Sequence, residues 1–533
     1  MKLVLLNPTP PGISSFGVRS ISSYLREKGH QVTTVFFPGS LGLLKEGGGF
    51  SYHYSDEVIK ELITICCDAD LIGVSFFTNY LDRALQLTAE LKKATDIPVI
   101  WGGIHASTKP NDSLRYADMV CVGEGEHALE ELLERMEAGE EYYDVSGIWF
   151  KDESGQVIST PLRPLICDLD QLPFFDYSNE GHYILNPKSG KIEPVTSEII
   201  CENMPLMPDS SGRLLRTYRT MTDRGCPHKC TYCNVPTLKE IYKKDKTPFL
   251  RSRSPEHVIA ELTSVIKSFP FIQAIHIFDD TFFSRPIPYI KKFAALYKEK
   301  IQLPMYCQAS PNTLTEEKLS ILIEADLVYV EMGIQTGSAR IRAMYNRTES
   351  NAQILKATEL LHDFRHHLIP PDYHIILDNP WENEEDTMET VRLLHKIPKP
   401  FGLAISSLVF YPKTGLYEKA LKEGMIKDEM KEISLKPFYV PPKHSYVNFL
   451  IYLMTFPLLP KFVVAYLMRD EVVSKASSMN ISFLLKLAYS LGETLRIISK
   501  GLRALLKGDM QRIALYFEKI KVGDPVVAGR KGK

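Results

Sequence analysis

The sequence of 533 residues has no excess of charge of either sign: 63 lysines and arginines face 65 aspartates and glutamates, a formal net charge of −2. Nothing in that balance points to a nucleic-acid partner. An export signal is not expected either. The first residues, MKLVLLNPTPPG, are short and broken early by proline, and they read better as a buried strand. The expected compartment is therefore a reducing cytoplasm. Nine cysteines, an odd number scattered over a long chain, do not make a disulfide framework. No internal repeat or low-complexity tract appears. The most apolar stretch, residues 445–468, is cut by Pro457, Pro460 and Lys461 before either half could span a bilayer. What is present is an ordinary globular composition, 44% apolar and 24% charged, with enough length for two or three domains.

From residue 1 to about 140, apolar runs (LVLLNP, VTTVFF, DLIGVSFF, IPVIWGG, ADMVCVGEGE) alternate with amphipathic segments such as LDRALQLTAELKKAT and HALEELLERMEAG. Buried strands alternating with helices imply a doubly wound parallel sheet, of Rossmann-like type, with ligands at the carboxyl ends of its strands. Those ends carry Asn7, Ser75, Gly102-Gly103-Ile104-His105 and Gly123-Glu124-Gly125-Glu126. The two glycine-rich exits fit a flat ligand or a phosphate approaching the backbone, and equally fit tight strand-to-helix turns. Residues 141–215 hold few periodic runs and read as a linker. From 216 to about 420 the alternation resumes in TYRTMTDRG, IQAIHIFDD, PMYCQAS, LVYVEMGIQ, YHIILDN and ISSLVFYP. Six strand–helix units suggest a parallel β/α barrel or partial barrel with its chemistry at the carboxyl-end loops. Residues 421–533 read as a helical C-terminal region.

Three cysteines stand apart from the other six. Cys226-Pro-His-Lys-Cys230-Thr-Tyr-Cys233 follows the first strand of the second series. Structural zinc is closed by four ligands, and no fourth cysteine stands at a matching spacing. An electron carrier also wants a fully ligated cluster. Three thiolates on an iron–sulfur cubane leave one iron open to bind a substrate or cofactor, so the spacing points to a catalytic cluster.

With these residues, RGCPHKCTYC resembles the signature of the radical S-adenosylmethionine superfamily. The resemblance implies a [4Fe–4S] cluster on Cys226, Cys230 and Cys233. Its open iron would chelate S-adenosylmethionine, whose reductive cleavage gives a 5′-deoxyadenosyl radical. It further implies cofactor contacts from Tyr232, from Asp279 and Asp280 in FDDTF, from Glu331 and Gln335 in EMGIQTGS, and from Asp378 in IILDNP. The family usually has a glycine-proline turn at this last place, and Asp378-Asn379 departs from it. Phe410-Tyr-Pro-Lys-Thr-Gly415 resembles the end of the sixth strand.

The N-terminal part is similar to the cobalamin-binding domain fused to many of these enzymes. That similarity implies contacts from Asn7, Ser75, Gly102, Gly103, His105, Gly123 and Glu124. The Asp-x-His-x-x-Gly motif that supplies a histidine beneath cobalt elsewhere is absent. The implied activity is modification of an unactivated carbon, with methyl transfer through cobalamin first and non-methylating ring formation or carbon–carbon coupling second. The implied partners are a small-molecule or lipid-like substrate and an external reductant such as flavodoxin or ferredoxin. In the tail, Leu484, Leu487, Leu491, Leu495, Ile498, Leu502 and Leu505 form a helical stripe, accompanied by Lys486, Arg496, Lys500, Arg503 and Lys507. Such a helix either lies on an anionic membrane surface or packs on its own protein.

Overall fold

The structure is a computed structural model that describes residues 1–8, 12–37, 53–152, 154–434, 442–456, 459–479, 481, 483–492 and 494. Its first sheet contains β1 (Lys2–Asn7), β2 (Gln31–Phe36), β3 (Leu71–Ser75), β4 (Val99–Gly102), β5 (Met119–Cys121), β6 (Ile148–Lys151), β7 (Val157–Ile158), β8 (His182–Leu185) and β9 (Ile192–Pro194). The spatial order is β7-β6-β5-β4-β3-β1-β2-β8-β9. The strands β1 to β5 pair in parallel. Side chains alternate across the sheet, and both faces are covered. Val4, Leu6, Val74 and Trp101 enter one core, while Leu3, Leu5, Ile100 and Met119 enter the other. That double burial is why the strands read as continuous apolar runs rather than as alternation.

The chain leaves β2 on one side of β1 and re-enters as β3 on the other. This reversal places a crevice at the carboxyl ends of β1 and β3, the usual ligand position in an open sheet of this kind.

The second sheet contains β10 (Leu206–Pro208), β11 (Leu214–Thr220), β14 (Ala274–Ile277), β15 (Met305–Ala309), β16 (Leu327–Gln335), β17 (Asp372–Leu377) and β18 (Gly402–Ser407). A separate ribbon pairs β12 (Asp223–Arg224) with β13 (Arg251–Ser252). From β11 to β18 the six large strands follow one another in chain order and in parallel, forming a curled half-barrel. Helices such as Pro255–Ser268 and Asn351–Asp363 start on serine side chains that cap them, Ser254 and Ser350.

Two expectations shift. The stretch read as a linker supplies β6 and β7 to one edge of the first sheet and β8 and β9 to the other. Its strands are only two to four residues long, too short to show a period. The last strand, expected to begin at Ile405, begins at Gly402 instead. Leu408 and Phe410 beyond it turn away to pack beside Tyr345 and Trp381.

One core runs through both halves: Ile13, Phe36 and Ile184 share it with Tyr218, Ile275 and Phe282. The apolar stretch 445–468 forms two short helices, Tyr446–Met454 and Lys461–Leu467, whose Leu450, Ile451 and Val464 join the same core. Among the described residues no helix is long and apolar enough to cross a membrane. Of the basic-flanked stripe, Leu484, Leu487 and Leu491 lie on an exposed helix face, whereas Leu485 is buried and Tyr489 packs on Tyr452. Leu495, Arg496, Ile498, Lys500, Leu502, Arg503, Leu505 and Lys507 lie outside the described residues.

Candidate functional site

The cysteine loop leaves the carboxyl end of β11 through Asp223-Arg224-Gly225. Gly225 has φ of +98°, and a Cβ there would sit 2.5 Å from the Phe249 carbonyl oxygen, so only glycine makes the turn. Asp279 clamps the start of the loop. Fully buried, it accepts from the Thr222 backbone N–H at 2.6 Å and the Thr222 hydroxyl at 2.5 Å, and pairs with Arg285 at 2.9 Å. These donors take up the oxygens of the Asp279 carboxylate.

Burial, then the nearby Asp280, pushes the Cys226 thiol up to about 12, and burial does the same for Cys233. Such thiols stay protonated until a metal displaces the proton. As they stand, no group of three His, Cys, Asp or Glu side chains among the described residues holds an ion geometry. The donor set itself, three thiols on one loop, fits a cluster with one open iron.

Around the loop, Arg347 donates to the Tyr232 hydroxyl at 3.2 Å and to the Gly333 carbonyl at 2.8 Å, and lies 4.0 Å from the Cys230 sulfur. Glu349 pairs with the same guanidinium. Tyr232 meets Tyr345 edge-on at 5.0 Å. Gln335 takes φ of +69° at a register irregularity between β16 and β17, which folds its side chain back over Gly333. Cys230, Tyr232, Gly333, Gln335 and Arg347 thus form one constellation. Sequence reading missed Arg347, whose only signal was its place just past the short helix that follows the β16 motif.

Asp280 is open at its surface yet crowded by protein. That crowding, then the charge of Asp279, raises its carboxyl to about 6. Glu331 lies deeper, 3.6 Å from His374 and 3.4 Å from the Gln308 amide. Asp378 has φ of +57°, the conformation that the family's glycine would favour. Its carboxylate accepts from the Ser407 hydroxyl at 2.5 Å, the Lys443 N–H at 2.8 Å and the Asn448 amide at 3.0 Å. The structure uses Asp378 to fasten the C-terminal helices.

At the first sheet, Asn7, Ser75 and Gly102 stand at the carboxyl ends of β1, β3 and β4. A Cβ built on Gly102 meets nothing within 4 Å, whereas one on Gly103 would lie 2.8 Å from the Phe76 carbonyl oxygen. The open side of Gly102 leaves room into which a flat group would fit. His105 turns inward: buried, 3.2 Å from the Thr78 hydroxyl and stacked on Phe76, it falls to about 4 through burial and then Lys109. In the structure His105 thus packs against Thr78 and Phe76.

Gly123 and Glu124 also face protein. A Cβ on Gly123 would strike the Tyr242 hydroxyl, which accepts from the Glu124 N–H at 2.8 Å. Glu124 pairs with Arg251 at 2.8 Å and Arg224 at 3.1 Å, and Glu126 with Arg224. These carboxylates bolt the first sheet to the cysteine loop. Arg224 was visible in the sequence as the residue before Gly225, but its partners lie about 100 positions away.

Glu126 gives this bolt a pH signature. Burial raises its carboxyl, but Arg224 and Ser20 outweigh burial and hold it at about 2, against an ordinary value of 4.5. A depressed value means the stabilisation is complete above about pH 4.5 and is lost as the pH falls toward 2. The gap is worth on the order of 3 kcal/mol at about 1.4 kcal/mol per pH unit. The thermal midpoint, followed by circular dichroism from pH 5 to 3, is expected to fall more steeply for the wild type than for Glu126→Gln. Equal slopes would remove Glu126 from this role.

With the geometry in place, comparison with known proteins gives two family matches: the radical SAM superfamily over residues 222–394 and the B12 binding domain over residues 4–133. An uncharacterized methyltransferase of Pyrococcus horikoshii is 24% identical over 438 residues, covering 80% of this chain and 84% of its own. The anaerobic magnesium-protoporphyrin IX monomethyl ester cyclase of Rubrivivax gelatinosus is 24% identical over 427 residues, 75% of this chain and 68% of its own. Among solved structures, the radical S-adenosylmethionine methyltransferase TsrM of Kitasatospora setae superposes with a TM-score of 0.60 at 17% identity, covering 79% of this chain and 76% of that one.

Proposed function

Because the chain belongs to the radical S-adenosylmethionine superfamily, with a B12 binding domain ahead of the radical core, we propose that it transfers a methyl group to an unactivated carbon of a small molecule. The observation that carries this reading is the junction of the two sheets. Glu124 and Glu126, just beyond the carboxyl end of β5, pair with Arg224, two residues before Cys226, so the cradle at Gly102 and the three-thiol loop belong to one locked mouth. When bound, the cluster with S-adenosylmethionine supplies a 5′-deoxyadenosyl radical and cobalamin supplies a transferable methyl group.

In this reading Cys226, Cys230 and Cys233 hold iron. Tyr232, Asp280, Gln335 and Arg347 border the sulfonium cofactor, and Asn7, Ser75 and Gly102 border the corrinoid. An external reductant such as flavodoxin or ferredoxin delivers the electrons. The similarity to a cyclase favours ring formation without methyl transfer as the second reading.

One assay separates the two. Reconstituted protein is incubated anaerobically with candidate extracts and methyl-labelled S-adenosylmethionine, and the products are read by mass spectrometry. A labelled product together with 5′-deoxyadenosine supports methylation, a product of changed mass without label supports cyclisation, and zinc-loaded protein that forms no deoxyadenosine sinks both.

The exposed face of Leu484, Leu487 and Leu491 beside Lys486 supports contact with a membrane surface and hence a lipid-like substrate. Sedimentation with anionic vesicles is expected at low salt and should weaken at high salt, as screening shortens the reach of each charge to about 8 Å near physiological strength. Absence of the protein from the vesicle pellet at both salt concentrations would remove the membrane from the reading.

A further inference from the structure

We propose that the lumen of the second sheet binds the substrate through an acidic group, carboxylate or phosphate, paired with Arg219, while a flat apolar portion lies against Phe278 and Phe16. This deepens the reading above. It rests on that reading only for the claim that the molecule held there is the one modified.

Arg219 sits on β11, seven residues before Cys226, and faces the lumen with its guanidinium carbon 4.9 Å from the centre of the Phe278 ring. Its Nε is out of contact with solvent and has no hydrogen-bond partner among the described residues. The carboxylate whose charge acts most on Arg219, Glu331, makes no ion pair with it and is engaged with His374 at 3.6 Å and with Gln308 at 3.4 Å, while Asp372 on β17 is taken by the Tyr329 hydroxyl at 2.6 Å. A largely buried guanidinium without a direct counter-charge is costly, and the cost is offset when an anion arrives. An arginine also presents a planar fork suited to the two oxygens of a carboxylate or phosphate.

A second observation points the same way. His276, on the neighbouring strand β14, is 1% exposed, yet neither ring nitrogen has a partner among the described residues. Burial keeps this imidazole neutral, with its value near 4, so it offers one donor and one acceptor to whatever enters. Buried polar atoms are nearly always satisfied, and two such side chains side by side mark a place where a ligand completes the hydrogen bonding.

The apolar wall is adjacent. Phe278 is 36% exposed, meets His276 edge-on at 5.1 Å, and lies 6.3 Å from Phe16 at the start of the first long helix of the N-terminal half. One aromatic ring from each half therefore flanks the entrance above the guanidinium. The same loop continues into Asp279 and Asp280 beside the cysteines, so a molecule anchored on Arg219 reaches up toward the cluster.

Isosteric ligands test this by binding rather than turnover. Fluorescence titration of the reconstituted protein with 2-naphthoate, 2-naphthyl phosphate and neutral 2-naphthamide is expected to show at least one acid bound tenfold or more tighter than the amide. Preference for the phosphate or for the carboxylate identifies which acid the substrate carries. Arg219→Met should erase the preference while iron content and corrinoid uptake stay at wild-type values. The wild-type comparison stands even if that variant does not fold. Equal binding of acids and amide, no binding of any of them, or an undiminished preference in Arg219→Met overturns the proposal. Cleavage of S-adenosylmethionine, measured on the same preparations, reports on the radical chemistry separately. If cleavage persists while the acid preference is absent, only the lumen proposal fails.

Discussion

Cys230→Ala protein, reconstituted anaerobically, is expected to carry almost no iron, against about four irons per cluster in the wild type, and to form no 5′-deoxyadenosine. Two thiols cannot hold a cubane, so the loss should be near complete. The fold should survive. Cys230 is a small buried side chain whose sulfur lies beside the Tyr232 hydroxyl and 4.0 Å from Arg347, and alanine leaves the Arg347 hydrogen bonds to Tyr232 and Gly333 in place. Iron analysis, the visible absorbance of the cluster and the far-ultraviolet dichroism of both proteins give the answer. Retention of four irons by the variant would mean that another residue completes the ligand set.

Gly102→Phe should remove corrinoid uptake and leave the iron untouched. The backbone at Gly102 is extended, with φ of −136°, and a side chain there projects into open space. The replacement is therefore tolerated by the fold and fills only the cradle between the ends of β3 and β4. Gly103→Phe is the instructive contrast. Its φ of +88° and the Phe76 carbonyl oxygen 2.8 Å from the new Cβ mean that it should disturb the sheet itself. Absorbance of bound corrinoid after anaerobic loading separates the two. Uptake by Gly102→Phe equal to the wild type would move the corrinoid away from this crevice.

The parts of the site that were legible in the sequence are those that chemistry dictates locally. CxxxCxxC needs no partner from elsewhere to declare three thiols and an open iron. The parallel sheets were legible because strands buried on both faces leave unbroken apolar runs. Roles that depend on distant partners were not legible. Glu124 and Asp378 sit at motif positions where a ligand contact was expected, but Arg251 and Asn448, 127 and 70 residues away in sequence, claim their carboxylates. His105 likewise turns to Thr78 and Phe76, because a side chain at a strand exit can point into the core as readily as into a crevice. The short strands β6 to β9 escaped because periodicity needs more residues than they contain.

The edge strands of the first sheet bear on how the N-terminal half can be produced alone. A fragment ending at residue 140 would lack β6 and β8, leaving β5 and β2 with unpaired backbone N–H and C=O groups along both margins. Bare margins of that kind template association between chains. Phe36, which shares its core with Tyr218 and Ile275 of the radical half, would also lose its cover. The corrinoid-binding half is thus not a detachable module, and a soluble piece would have to run at least through β9, with the apolar residues facing the other half replaced.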